Sequence, residues 1–223
     1  MKYPRSVFLS LLLAFALPPT GSAQAKPVAY DIDPVHSNVQ FTIRHIFSKV
    51  TGSFTKFSGK VVYDADAPAT STVTAEIDAN SINTMNERRD GHLRSPDFFD
   101  TAKYPTLTFV SAKVTPGADG TLKVEGTLTM HGVAKPVTLD ASYLGAGPGP
   151  GGAPRIGFEA STSVNRKDYG VLWNKTLDQG GTLLGDVVQI SIAIEGVATA
   201  PAEKAAEKPL EKPAEKPAAT GGK

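Results

Sequence analysis

Apolar and polar residues alternate with a period of two in segment after segment of this chain, and that pattern leaves few architectures open. Val39, Phe41 and Ile43 alternate with Asn38, Gln40, Thr42 and Arg44, and Val73, Ala75 and Ile77 with Thr72, Thr74, Glu76 and Asp78. Leu122, Val124, Gly126, Leu128 and Met130 interleave with Lys123, Glu125, Thr127 and Thr129. Val137, Leu139, Ala141 and Tyr143 follow, then Ile156, Phe158, Ala160, Thr162 and Val164, and last Val188, Ile190, Ile192 and Ile194. Side chains on a strand point to opposite faces in turn, so each run describes a strand with one apolar and one wet face. Turn residues separate the runs: Asp66 to Pro68, Pro116-Gly117-Ala118-Asp119-Gly120, and Gly145 to Pro154. Regular strands joined by short turns predict an antiparallel sandwich or a closed barrel.

Composition narrows the partners. The 223 residues include Cys 0 and carry a formal net charge of +1. Disulfides, thiolate metal sites, nucleophilic cysteine and a lipoprotein anchor are therefore excluded. Acids and bases are mixed with no basic stripe, so no nucleic-acid partner is expected.

Lys2 and Arg5 precede an apolar run from Val7 to Leu17, and both Gly21-Ser22-Ala23 and Ala23-Gln24-Ala25 satisfy the small-x-small cleavage rule. Residues 1–25 read as a secretory signal, and the expected location of the exported protein is the periplasm of a bacterium with two membranes. No later apolar stretch suggests a transmembrane span in the mature chain. Residues 26–200 read as one domain. From Pro201 the chain repeats Glu207-Lys208-Pro209, Glu211-Lys212-Pro213 and Glu215-Lys216-Pro217, with Leu210 the one large apolar residue. Residues 201–223 are expected to be a disordered tail, because prolines block a helix ladder and little apolar surface can be buried.

The segment Asn86 to Phe99 breaks the strand rhythm, being polar and then ending in two aromatics. Asn83 or Thr84 is placed to cap a short helix that Pro96 stops. Such an insertion lies over one end of a barrel, where Phe98 and Phe99 plug the end or line a mouth. Tyr169 and Trp173, in a Gly-flanked loop, either lie over the mouth or simply pack.

The four histidines, His36, His45, His92 and His131, show no His-x-His or His-x-x-x-His spacing, so no metal site is assigned. Turn caps and bonds to backbone carbonyls account for most of them. His45 ends an apolar strand face and is the candidate to meet a ligand's polar head. Arg88, Arg89, Arg94 and Arg166 either hold such a head or form structural pairs with Asp90, Asp97, Asp100 or Asp168. Gly-x-Ser-x-Gly, Walker and dinucleotide patterns are missing, so no catalytic residue is assigned and no enzyme is expected.

Several stretches in order carry a further message. They are Asp33-Pro34-Val35-His36-Ser37 with Phe41-x-Ile43-x-His45, Val50-x-Gly52-x-Phe54 with Phe57-x-Gly59, and Arg89-Asp90-x-His92-Leu93-Arg94-Ser95-Pro96-Asp97-Phe98-Phe99. Next come Lys103-Tyr104-Pro105, Gly126-x-Leu128-Thr129-Met130-His131-Gly132-Val133-x-Lys135-Pro136-Val137, and Asn165-Arg166-x-Asp168-Tyr169-Gly170. From Tyr30 to Val197 the chain resembles the YceI-like family of periplasmic proteins, also described as polyisoprenoid-binding and lipocalin-like.

The resemblance implies an all-β fold: an extended eight-stranded antiparallel lipocalin-like barrel with a short helical insertion. It implies an apolar interior holding a long-chain isoprenoid, quinone-like lipid or related amphiphile, with no other cofactor. Transport, storage, quinone or isoprenoid metabolism, and stress responses are the roles it suggests. The expected ligand-facing residues are Phe41, Ile43, His45, Phe54, Phe57, Ile77, Phe109, Leu128, Met130, Phe158 and Ile190, with His92, Arg94 and Arg166 as head-group candidates.

Alternation alone does not separate a barrel filled by its own side chains from one holding a ligand. Two other readings therefore stay open: an enzyme acting on the lipid head through His45 or His92, and a stress-response structural protein. A homodimer is also left open.

Overall fold

The computed structural model describes residues 27–178 and 180–199 of the chain. The segments read as signal and as tail lie outside them. Eleven strand segments form one antiparallel sheet. They are β1 (Val28–Ile32), β2 (Asn38–His45), β3 (Ser48–Phe54), β4 (Phe57–Tyr63), β5 (Thr72–Asp78), β6 (Ile82–Asn83), β7 (Thr106–Pro116), β8 (Thr121–Met130), β9 (Val133–Pro148), β10 (Pro154–Asn165) and β11 (Leu184–Ala198). Helix α1 (Glu87–Arg94) stands between β6 and β7.

The segments resolve into eight strands, because three strands are each interrupted once. β1 and β2 form one strand, since both pair with β11, through Tyr30↔Ala198 and Val39↔Ile192. β3 and β4 form its hairpin partner, through Val39↔Phe54 and Tyr30↔Val61. β5 and β6 form the third, through Phe57↔Ile77 and Phe54↔Ile82. β7 to β11 follow as a meander, and the β1–β11 pairing closes the barrel. Closure removes most of the open sheet edge that would invite aggregation.

Two of the interruptions have a visible local cause. At Asp33–Ser37, Pro34 offers no N–H, and the Asp33 carboxylate accepts from the Val35 N–H at 3.0 Å. The neighbouring β11 backbone is satisfied instead by Ser37, whose Oγ accepts from the Glu195 N–H at 2.9 Å. At Ala79–Ser81, Asp78 caps a single 3-10 turn by accepting from Asn80 N at 2.9 Å. Two bulges also shift parity. Leu107 and Phe109 face inward on β7, a bulge lies between Ser111 and Lys113, and Val114 faces inward again. Leu144 is the extra residue where β9 meets Gly157 and Phe158, and it points to solvent.

Helix α1 is capped one turn later than the sequence suggests. Asn86, not Asn83 or Thr84, accepts from Arg89 N at 3.0 Å. Asn83 instead accepts from Met85 N at 2.8 Å, and Thr84 donates its N–H to the buried Asp90 carboxylate at 2.9 Å. The helix ends at Ser95, in extended backbone, as expected for the residue before a proline. Because β6 pairs with only Ser53 and Phe54, the first half of β3 keeps a free edge, and the α1 insertion covers the end of the barrel beside it.

Candidate functional site

The inward-facing residues of the strands do not fill the barrel. They enclose a cavity of about 390 Å³. Its wall comes from alternate positions of the strands, including Phe41 and Ile43 on β2, Phe54 on β3, Phe57 on β4, Ile77 on β5 and Phe109 on β7. Leu128 and Met130 on β8, Phe158 on β10 and Ile190 on β11 complete the set expected from the sequence, and all of them line it. Glycines make room where a ring must cross a strand. A Cβ at Gly126 would fall 2.5 Å from the Phe109 ring, and one at Gly52 would fall 2.5 Å from Phe41.

Aromatic groups mark the two ends. Away from α1, Tyr63 stacks on Tyr143 at 5.1 Å, and Phe158 meets them at 5.4 and 5.6 Å. At the capped end His92 sits edge-on to Phe98 at 5.0 Å and to Trp173 at 4.9 Å. The basic and imidazole side chains of the lining, Arg89, Arg166, His45 and His92, gather at this second end, while the hydroxyls of Tyr63, Ser71 and Thr72 line the other. Arg89 is both exposed and part of the wall. No carboxylate lines the cavity among the described residues.

The capping backbone is irregular, and arginines satisfy its carbonyls. Arg166, only 3 % exposed, donates Nε to Gly185 O at 3.0 Å and Nη1 to Val171 O and Trp173 O at 2.7 and 2.8 Å. Its Nη2 reaches Asp186 Oδ1 at 3.3 Å. Burial pushes this guanidinium below its ordinary value while Asp186 opposes the shift. The Asp186 carboxyl is held low, chiefly by Lys167 at 2.9 Å. Arg94 donates to Asn80 O at 2.8 Å and to Ile82 O at 3.0 Å, clamping α1 to the interrupted strand outside the cavity wall. Arg89 donates to Thr84 Oγ1 and Thr84 O at 2.7 and 2.8 Å. Buried carbonyls left without donors would be costly, which explains the arginines. The acidic partners proposed for these arginines from sequence spacing are not the ones they take.

Three histidines have conventional partners. His36 Nδ1 meets Asp33 Oδ2 at 2.8 Å, His92 Nε2 meets Asp97 Oδ2 at 2.8 Å, and His131 Nδ1 meets Tyr169 O at 3.0 Å. His45 lines the cavity beside the β2–β3 turn, with no side-chain hydrogen bond among the described residues.

Away from the cavity, Asp33, His36 and Glu195 lie close enough to share a cation. Arg155 already supplies the positive charge there, donating Nη1 to Asp33 Oδ2 at 2.9 Å and to Glu195. The His36 and Arg155 bonds hold the Asp33 carboxyl well below the usual carboxylate range. Sequence reading missed this cluster, because Asp33 and Arg155 meet only once the strands are registered. It also did not single out Val50 or Leu183, which line the polar end.

Residues 30–196 match the YceI-like domain family. The chain belongs to that family. It is 39 % identical over 190 residues to the protein YceI of Salmonella arizonae, covering 85 % of this chain and 96 % of that one. Among solved structures, BcnA of Burkholderia cenocepacia is similar with a TM-score of 0.66 and 25 % identity, covering 74 % of this chain and 98 % of that one. A YceI protein of Campylobacter jejuni is similar with a TM-score of 0.59 and 30 % identity, over 70 % and 90 % of the two chains. The closed eight-stranded barrel of this YceI-like chain is therefore the family fold.

Proposed function

We propose that this YceI-like chain is a periplasmic binding protein for a long-chain isoprenoid or related amphiphile, serving transport, storage or quinone and isoprenoid metabolism. The observation that carries this reading is a cavity of about 390 Å³ whose strand walls are mostly apolar and whose basic and imidazole side chains gather at one end. An apolar tail fills the barrel, and its head lies near His45, Arg89 and His92. Burial of apolar area contributes roughly 25 cal/mol per Å², so a long tail binds tightly with few polar contacts. Among the described residues, His45 has no bond to its ring nitrogens and Arg89 retains N–H groups beyond those on Thr84. Arg166 has most of its donors occupied by carbonyls and Asp186, and Arg94 stands outside the wall, so both support the site indirectly. Binding is favoured over catalysis because the cavity offers no carboxylate among the described residues and an apolar wall suffices for binding.

Trp173, the one tryptophan of the chain, lies in the wall at the polar end and makes a direct test. A quinone-headed isoprenoid should quench its fluorescence saturably, and an equally long polyprenol should displace the quinone. If neither lipid produces a saturable change, the reading is wrong.

A further inference from the structure

We propose that the polar end of the barrel docks on an anionic lipid bilayer, so that the cavity exchanges its ligand directly with the membrane. This rests on the lipid-binding reading above. Three large apolar side chains stand out of the fold beside that end. Phe47 is fully exposed, Met85 is 92 % exposed and Leu172 is 63 % exposed. They come from three separate connections: the β2–β3 turn, the link from β6 to α1, and the loop before β11. Each lies within two residues of the cavity wall, next to His45, Thr84 and Val171 respectively.

Backbone geometry holds two of these side chains outward. Ile46, which precedes Phe47, has φ 49°, and Met85 has φ 60°. That left-handed region is unfavourable for branched and bulky residues, so their presentation is imposed by the surrounding structure. Two of the connections are also bonded together. Ile46 N donates to Leu183 O at 2.9 Å, and Leu183 N donates to Lys175 O at 2.9 Å.

Charge completes the surface. Arg44, Lys49, Arg88, Arg89 and Lys175 lie on or beside these connections, all exposed, and none forms an ion pair among the described residues. They outnumber Glu87, Asp168 and Asp178, the exposed carboxylates of the same region without an ion pair among the described residues; Asp90 is buried and Asp100 half-buried. Apolar side chains inserted at headgroup depth, ringed by basic groups, are the chemistry of an interfacial anchor on anionic lipid. The opposite end presents turns of glycine, proline and aspartate, from Asp64 to Ser71, Gly117 to Gly120 and Gly149 to Gly152.

The test is co-sedimentation of the purified protein with phosphatidylcholine vesicles, with and without phosphatidylglycerol. The protein should pellet with the anionic vesicles and release as salt rises. Joint Phe47→Ser and Leu172→Ser substitution should weaken binding by about tenfold or more, the scale of withdrawing one large apolar side chain from an apolar medium. The same variant should keep the wild-type melting curve and the wild-type Trp173 quenching by a short-tailed quinone. Failure of the wild-type protein to bind anionic vesicles overturns the docking surface, as does equal binding by the double variant. A self-association abolished by Phe47→Ser, with no vesicle binding, assigns the face to a second copy of the chain and also overturns it. Intact Trp173 quenching alongside failed vesicle binding removes the docking surface alone, while failed quenching removes the lipid reading beneath it.

Discussion

The wall and the cap of the cavity are built by opposite physics. The wall is regular: backbone groups satisfy one another across antiparallel ladders, and the side chains have only to be apolar on the inner face. The cap, made by α1 and the segment from Arg166 to Leu183, is irregular outside the helix, where no sheet ladder satisfies its carbonyls. Arg166 and Arg94 perform that work from the side. A wall of this kind tolerates exchange of one apolar group for another and fails when charged. A cap of this kind depends on single donors as well as on its buried apolar groups, Phe98, Tyr169 and Val171.

The sharpest break in that contrast is a charge in the wall. Leu128→Asp places an unpaired carboxylate at a position only 9 % exposed. It should cost about 4 kcal/mol or more and lower the melting temperature by roughly 10 °C or more, whereas Leu128→Met should cost under about 1.5 kcal/mol. Thermal melts of the two variants measure the difference directly. Surviving folded Leu128→Asp protein should retain no lipid.

In the cap, Arg166→Met keeps apolar bulk and removes the donors to Gly185, Val171 and Trp173. Loss of stability of about 3 kcal/mol is expected, or roughly 6–12 °C in melting temperature. Arg166→Lys should recover less than half of it, since an ammonium does not reproduce the planar fork. Arg94→Met removes the donors to the carbonyls of Asn80 and Ile82, two bonds where Arg166 makes three to carbonyls, so a loss of about 1–2 kcal/mol is expected by the same measurement.

The smallest effect lies at the strand interruption far from the cap. The Asp33 carboxyl is held low by His36 and Arg155, so its contribution is present above the ordinary value of about 3.9 and is lost as pH falls below it. Asp33→Asn should melt slightly lower than wild type near neutrality, and the two curves should converge in acid. Melts from neutral pH downward that stay parallel would remove Asp33 as the source.

The difference between wall and cap also governs what the sequence reveals. The inner faces of β2, β5, β8, β9, β10 and β11 are legible because a period of two survives in a single chain without knowledge of any partner strand. The three interruptions are less legible, since Asp33-Pro34 announces a break but not that β1 and β2 continue one strand along β11. The cap is hardest to read. Asp168 is near Arg166 in sequence, yet the guanidinium takes Asp186, because the loop folds back and brings β11 alongside. Asn83 and Asn86 offer the same capping chemistry, and only the path of the chain decides between them. Gly126 on an apolar face signals a gap, but the Phe109 ring that fills it belongs to another strand.

The central claim is that the apolar wall surrounds a ligand. Its most direct test is mass spectrometry of organic extracts from protein purified from its host without detergent. The account predicts a long-chain isoprenoid or a closely related amphiphile in amounts comparable to the protein, and its loss from folded Leu128→Asp protein. Wild-type protein that carries no such lipid, and that takes up neither a polyprenol nor an isoprenoid quinone when offered them, would contradict it.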